Sequence, residues 1–458
     1  MKFAFPSLPP ELRRIIRSAA LCLALFPCMV PHAKAQTTIS TGSTQNVTGN
    51  PLTTFWNSAG TVTIQNGATL FHNQSSSQIP PPTGYIIPNA LVFSGSAGTT
   101  TLRFSANDTK WHFSGPVTST ATGNQTINIR CENGDRQDIL FSTPIPDGAP
   151  GTTGISANFS MSSSSENYIN LSAANTFTGP ITLNEPNNSA IGILVVGGER
   201  YWIAFGSKFT IPGTGSLGPA GVYPGDVSLA NRTVLNFNTS ANQTMSGIIS
   251  GAGSIRKEVA GSTLTLSGNN TYTGDTTVDA GSVVLANGGS MSFAVTDATN
   301  NKVTGAGSAT LNGTLTVDTS AVTVTSGSWT LVNTTTKTFG GTFALTGFTG
   351  PVGNIYTKTT GGQTWTFDKS TGVLALSSNA VITAFSITGS TGVINQTTKT
   401  IALTVPYTPW GCQRPGRTRA LLHSNKRHLQ SNQRLASIAH LRIIQPRHLH
   451  RHGWSYSK

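Results

Sequence analysis

The sequence predicts an all-β protein, a right-handed parallel β-helix (solenoid), followed by a basic C-terminal tail that is not β. Three observations carry this prediction. Between residues 36 and 410 apolar residues alternate with hydroxyl-bearing ones in short runs, as in Leu264-Thr265-Leu266, Leu315-Thr316-Val317, Val322-Thr323-Val324 and Trp329-Thr330-Leu331. Such alternation places the apolar side chains of a strand on one face. Only 10% of the chain is charged, against about 25% in an ordinary soluble domain, and Gly accounts for 49 of 458 residues. The third observation is an internal repeat: residues 169–183 (INLSAANTFTGPITL) align with 264–278 (LTLSGNNTYTGDTTV) at a constant offset of 95. Leu171 matches Leu266, Asn175 matches Asn270, Phe177 matches Tyr272 and Gly179 matches Gly274. A strand–turn–strand unit of that size cannot bury its apolar face alone, whereas stacked coils share a continuous core.

The first element is a secretory leader, residues 1–35. A basic stretch ending at Arg17 precedes the apolar run of residues 19–30, and Ala33-Lys34-Ala35 has the small-x-small form cut by a signal peptidase, with Gln36 as the mature N-terminus. No later apolar stretch is long enough for a transmembrane helix, so none is expected after leader removal. Residues 36–160 form an N-terminal β region, 161–300 the repeat-bearing coils, 301–376 terminal coils and 377–410 a short β segment. Gly or Asn at the corners is expected to supply positive φ, and Asn side chains to ladder between equivalent corners. The net charge of +13 describes no single object: residues 411–458 hold ten Lys/Arg and no acid, and residues 36–410 hold fourteen basic and fifteen acidic residues. The large middle is therefore near neutral, and the overall basic charge is not a nucleic-acid signal.

Candidate chemistry is sparse. Glu132, Asp135 and Asp138, with Arg130, Cys131 and Arg136, form the tightest carboxylate cluster. It suits either a divalent-ion or sugar loop or a solvated turn with compensating charges, and the turn is the expectation. Gly213-x-Gly215-x-x-Gly218 spells a dinucleotide fingerprint but is flanked by Pro212 and Pro219, so a turn is expected there too. Trp111, Trp202, Trp329 and Trp365 read as core. Cys22 and Cys28 lie in the leader, and Cys131 with Cys412 makes no disulfide framework or metal motif. Only His72 and His112 lie between leader and tail, and no nucleophile elbow or HExxH motif occurs. No catalytic, metal or cofactor-binding residue is assigned, and no cofactor is implied.

At residues 251–289 the sequence resembles the autotransporter-associated β-strand repeat. Gly251, Gly253, Leu264, Leu266, Gly268, Asn270, Tyr272, Gly274, Val278, Gly281 and Leu285 occupy its pattern of Gly-rich lead, Leu-x-Leu-x-Gly strand, Asn-Thr-Tyr-x-Gly and closing strand. The copy at residue 169 departs from it at Ala173 and at Glu185-Pro186. The resemblance implies a secreted passenger-like β-helix, adhesin-like or matrix-forming, in which the repeat is scaffold. An autotransporter also needs a C-terminal barrel of amphipathic strands, and no such set follows residue 376.

The tail, residues 411–458, holds six of the nine His and loses the Thr/Gly pattern. Its readings are a basic helix with Leu435, Ile438 and Leu441 on one face, an unstructured cationic segment, or the product of a changed reading frame. The abrupt change of composition favours the last. Two function classes follow for the whole chain: a secreted or surface-displayed non-enzymatic scaffold, with an extracellular glycan or cell surface as partner and no specific nucleic acid, or a β-helix polysaccharide lyase or hydrolase. The discriminator is spatial, since the enzyme needs carboxylates, with or without Arg/Lys, converging on one groove.

Overall fold

Each alternating run has one apolar face to bury, and the chain buries them all by winding into coils whose strands pair in parallel with those one coil before and after. The computed structural model describes residues 35–48, 55–73, 84–105, 109–132, 137–160, 166–187, 189–203 and 207–378, together with three strands between 386 and 403. Residues 1–377 and 378–458 are two separate compact units. Within the first unit the fold is a parallel β-helix with three sides.

The second side is an eight-stranded parallel sheet running from Thr44–Thr48 through Gly98–Ser105, Gln125–Glu132, Thr153–Ser160 and Ile181–Asn184 to Ile249–Gly251. The third side runs from Tyr85–Ile87 through Thr109–Phe113, Gln137–Phe141, Glu166–Leu171, Ile191–Val196, Thr233–Phe237 and Ser254–Lys257 to Thr276–Val278. The first side is a four-stranded sheet from Ala35–Ile39 to Val117–Ser119, and it resumes as strands at Val222–Tyr223, Gln243–Met245, Thr263–Leu266 and Ser282–Leu285. Strand Val303–Leu311 turns a corner: its start pairs with Thr276–Val278 and its end with Ser282–Leu285, which joins two sides into one fourteen-stranded sheet.

Inward positions such as Leu102, Ile127, Ile155, Leu183 and Leu229 are fully buried and merge with those of the other sides into one core along the unit. Coil length varies along the chain: bonded equivalents are 30 residues apart between Ile145 and Asn175, 21 apart between Ile249 and Asn270 and 29 apart between Val303 and Val332. One corner is expanded. After Val196 the chain leaves as an antiparallel hairpin, Glu199–Ile203 with Ser207–Ile211, before re-entering the coil.

Past residue 320 the coils continue, with Val332–Phe339 parallel to Val303–Leu311 and Ala344–Leu345 parallel to Thr314–Ala321, but an antiparallel sheet is added to them. Val322-Thr323-Val324, expected as a strand, is irregular, because Thr323 N (2.7 Å) and Val324 N (3.1 Å) donate to the Asp297 carboxylate instead of a neighbouring strand. Gly327–Thr330 joins a five-stranded antiparallel sheet ending at Thr349–Val352, with Trp329 and Trp365 stacked inside at 5.5 Å. In the second unit, Ser386–Ile387, Ser390–Asn395 and Thr400–Leu403 pair antiparallel. Ala33 and the tail 411–458 lie outside the described residues. Ala35 and Gln36 begin the first strand, where Ala35 registers with Ala59.

Candidate functional site

The repeat residues were the sequence's strongest signal, and all but half-buried Gly274 are buried. Leu171, Asn175, Phe177, Leu266 and Asn270 are fully buried and Tyr272 nearly so. The two copies are built alike, atom for atom. Asn175 Oδ1 accepts from Ile145 N (3.1 Å), while its Nδ2 donates to Ala173 O (2.7 Å) and Ser216 O (3.3 Å). Asn270 Oδ1 accepts from Ile249 N (3.0 Å), while its Nδ2 donates to Gly268 O (2.9 Å) and Ser290 O (3.1 Å). Each Asn thus ties its own coil to the coils before and after it where no strand crosses the side, satisfying backbone groups that would otherwise be buried unpaired.

Two expectations about these corners need correcting. Neither Asn adopts positive φ, and neither do Gly179 and Gly274. The glycines are required by proximity: a Cβ on Gly179 would lie 2.5 Å from Thr153 O, and one on Gly274 would press on Gly253 O. Asn side chains do ladder, but on the outer face of the second side, where Asn158 Nδ2 donates to Asn128 Oδ1 (2.6 Å) and Asn184 Nδ2 to Asn158 Oδ1 (3.1 Å). The copies also occupy different sides. Leu171 registers with Val196, Val196 with Phe237 and Phe237 with Lys257, all on the third side. Leu266 ends the strand on the side after that. The 95-residue offset is therefore three coils and one further side.

The described carboxylates of the Arg130–Asp138 segment are not solvated. Glu132 and Asp138 are buried, and Glu132 is held by Arg103 Nε (2.6 Å) and an Arg130 guanidinium nitrogen (2.5 Å). Asp135 and Arg136 lie outside the described residues. Cys131 is a buried free thiol whose ionisation is pushed up by burial and then by Asp138 and Glu132. Among the described residues no group of His, Cys, Asp and Glu could hold a metal ion. Trp111, Trp329 and Trp365 are core; the Trp202 side chain lies outside the described residues. After Gly218 comes a three-residue 3-10 turn, Pro219–Gly221, rather than a helix, so the fingerprint letters offer no phosphate site.

Convergence of charge occurs elsewhere, on the outer surface of the third side. Tyr168 and Val195 point away from the core yet are buried: with Ile193 they form a second apolar cluster, and strand Glu199–Ile203 of the hairpin lies against the strands that carry them. The hairpin is fastened at Asn170, whose Oδ1 accepts from Arg200 N (2.7 Å) and whose Nδ2 donates to Arg200 O (3.0 Å). Lys110 adds an ion pair with Glu199 (3.1 Å) and lies 4.0 Å from the Tyr201 ring centre.

Beside the hairpin the surface sinks into a cleft of about 310 Å³. Ile191, Ile193 and Val234 supply aliphatic surface, and Glu166, Arg200, Arg256, Asp275 and Asn236 supply polar groups. Glu258 bridges two of the walls: one oxygen accepts from Arg200 (2.7 Å) and forms an ion pair with Arg256 (3.1 Å), and the other accepts from Asn236 Nδ2 (3.0 Å). Arg256 also donates to Asp279 (2.6 Å). Burial works against the Arg256 charge, but the Asp279 hydrogen bond and the Glu258 and Asp279 carboxylates more than offset it and hold the guanidinium above its usual value. These residues are spread over more than a hundred positions and share no motif. Their one sequence signal is that each falls on the outward phase of a strand, or just past its end, and using that signal requires knowing the coil register.

The cleft is poorly arranged for glycosidic cleavage. Its two lining carboxylates, Glu166 and Asp275, lie beside strands separated by three others, Ile191–Val196, Thr233–Phe237 and Ser254–Lys257. At about 4.8 Å per strand their backbones are roughly 19 Å apart. Carboxyl pairs of glycosidases are about 5 to 9.5 Å apart. Glu258 and Asp279 are nearer one another, but both are committed to Arg256.

Residues 261–285 match the Passenger-associated-transport-repeat family. This span holds Leu264 to Leu285, hence the second copy of the internal repeat with its Asn270, Tyr272 and Gly274. A repeat of that kind suggests a passenger-type protein, exported or at the cell surface, and is not itself indicative of catalysis. Comparison with curated proteins finds no match to the chain.

Proposed function

We propose, starting from the passenger repeat built into its coils, that this chain is a secreted or surface-displayed β-helix scaffold, adhesin-like or matrix-forming, and not a polysaccharide-degrading enzyme. The observation that carries the proposal is the use of the repeat itself. Leu171, Phe177, Leu266 and Tyr272 are turned inward and Asn175 and Asn270 are bonded to neighbouring coils, so the repeat builds a stack and leaves the outer faces free to vary. The four strand spacings, roughly 19 Å, between the backbones that carry Glu166 and Asp275 argue against the enzyme alternative. Export would proceed through the leader, with cleavage between Ala35 and Gln36.

Expression of the full chain in a bacterial host tests both parts. The mature protein is expected outside the cytoplasm with Gln36 at its N-terminus, and it should release no reducing or unsaturated ends from pectin-like or neutral polysaccharides. Retention of Met1 would overturn the export reading. Turnover that disappears on changing Glu166 and Asp275 to Ala would establish the lyase or hydrolase instead.

A further inference from the structure

We propose that the cleft between the Glu199–Ile211 hairpin and the third side binds a neutral saccharide unit, an inference that rests on the scaffold reading and names the ligand class of that surface. The argument begins with two unsatisfied atoms. Arg200 Nε and Asn236 Oδ1 are both buried without a hydrogen-bond partner, although the other ends of both side chains are fixed on Glu258. Asn236 is fully buried. An orphaned buried donor or acceptor is costly, about 1–3 kcal/mol, so a site that carries one of each beside an open cleft favours a ligand able to satisfy both.

The pairing of orphans restricts that ligand's chemistry. Carboxylate, phosphate and sulfate oxygens only accept, so they leave Asn236 Oδ1 unpaired, and an ammonium group only donates, so it leaves Arg200 Nε unpaired. A hydroxyl does both. Charge points away from an anion: the lining holds Glu166 and Asp275 against Arg200 and Arg256, and both guanidinium groups are already paired with Glu258, so no positive charge is left over. Ile191, Ile193 and Val234 give the aliphatic surface against which the C–H face of a sugar ring packs. The volume of about 310 Å³ lies at the low end for small-molecule sites, roughly 300–1,000 Å³, which suits a mono- or disaccharide unit rather than a long chain buried end to end. A peptide also carries donors and acceptors, but peptides typically add to an exposed sheet edge, and this cleft lies on a sheet face whose strands are paired on both sides. Contact with the two buried atoms requires a side-chain adjustment of the kind common at binding sites.

The test is titration calorimetry of the full chain with neutral gluco-, galacto-, manno- and N-acetylhexosamine tetrasaccharides, a tetragalacturonate and an uncharged octapeptide. At least one neutral saccharide is expected to bind saturably, with affinity changing less than about threefold between about 0.15 and 0.5 M salt, since no ion pair with the ligand forms. Thr277→Trp fills the cleft from an outward, half-buried position. It should weaken binding at least about tenfold without lowering the melting temperature. Asn236→Ala should weaken it comparably, and Thr277→Trp keeps the test decisive should the Asn236 variant prove unstable. The proposal is overturned if no neutral saccharide binds, if only the octapeptide or the salt-sensitive galacturonate binds, or if Thr277→Trp leaves affinity unchanged. Binding accompanied by new reducing ends would sustain the site and overturn the non-catalytic reading. Failure to bind by an exported, inactive protein would overturn the site alone.

Discussion

His72 and Trp56 show how much a single pair can set in the wide N-terminal coils. His72 is fully buried, stacks on Phe104 (4.9 Å) and accepts from Trp56 Nε1 at its Nε2 (3.2 Å). Burial lowers its pKa to about 3 from 6.5. With the folded value depressed, the unfolded chain takes up the proton first, so the stability contributed by neutral His72 is complete above pH 6.5 and is lost as pH falls from there toward 3. Each unit in that window costs about 1.4 kcal/mol, so about 2 kcal/mol should go between pH 6.5 and 5, before most carboxylates titrate. Half-buried His112 is lowered too, chiefly by burial and against the pull of Glu199, so it acts in the same direction. Urea unfolding across this range should show the slope, and His72→Leu should flatten most of it while lowering stability at neutral pH through the abandoned Trp56 N–H. A slope unchanged in the variant would mean that His72 is not the group responsible. Nothing in the sequence marks His72 as buried except its place in Leu70-Phe71-His72, where alternation alone would turn it outward if Leu70 and Phe71 exchanged faces.

At the scale of the coil, two kinds of glycine must be distinguished. Gly274 has ordinary φ and no room for a Cβ beside Gly253 O, whereas Gly261 has φ of 75° and nothing within 4 Å of its Cβ position. Gly261→Ala should therefore cost about 1 kcal/mol, the strain of a left-handed residue. Gly274→Ala has to separate two coils that are hydrogen-bonded on both flanks, and should cost several times as much. Denaturant titration of the pair checks the order, and equal losses would refute the proximity argument. The hairpin is a different kind of element, an insertion at a corner rather than part of the stack. Replacing residues 199–211 with a short Gly/Ser turn should leave the β-type circular dichroism intact but expose Tyr168, Ile193 and Val195, giving increased binding of a hydrophobic dye and a lower melting temperature. Loss of the β spectrum would show instead that the hairpin is needed for the coils to form.

For the molecule as a whole, the first unit contains its own continuous core up to Leu376. A chain ending at Ser377 should therefore melt within a degree or two of the full-length protein by calorimetry, because the buried contacts that set its stability are internal to that unit. A large drop would show that residues 378–458 complete the solenoid. The sequence by itself determined the fold class, since alternation of period two, turn residues at the corners and a repeat too small to bury its own face leave stacking as the solution. It also determined that Leu171, Asn175, Phe177 and Gly179 and their counterparts at 266, 270, 272 and 274 do the same job, because identical local geometry needs identical residues. Only the tertiary structure decided which side each copy occupies, since that depends on the summed lengths of three unequal coils and a hairpin. The cleft was likewise beyond sequence reasoning: Glu166, Asn236, Arg256 and Asp275 share one face only because parallel register stacks successive coils about 4.8 Å apart, Arg200 joins them on the inserted hairpin, and a one-residue change of register would have turned Asn236 and Arg256 toward the core.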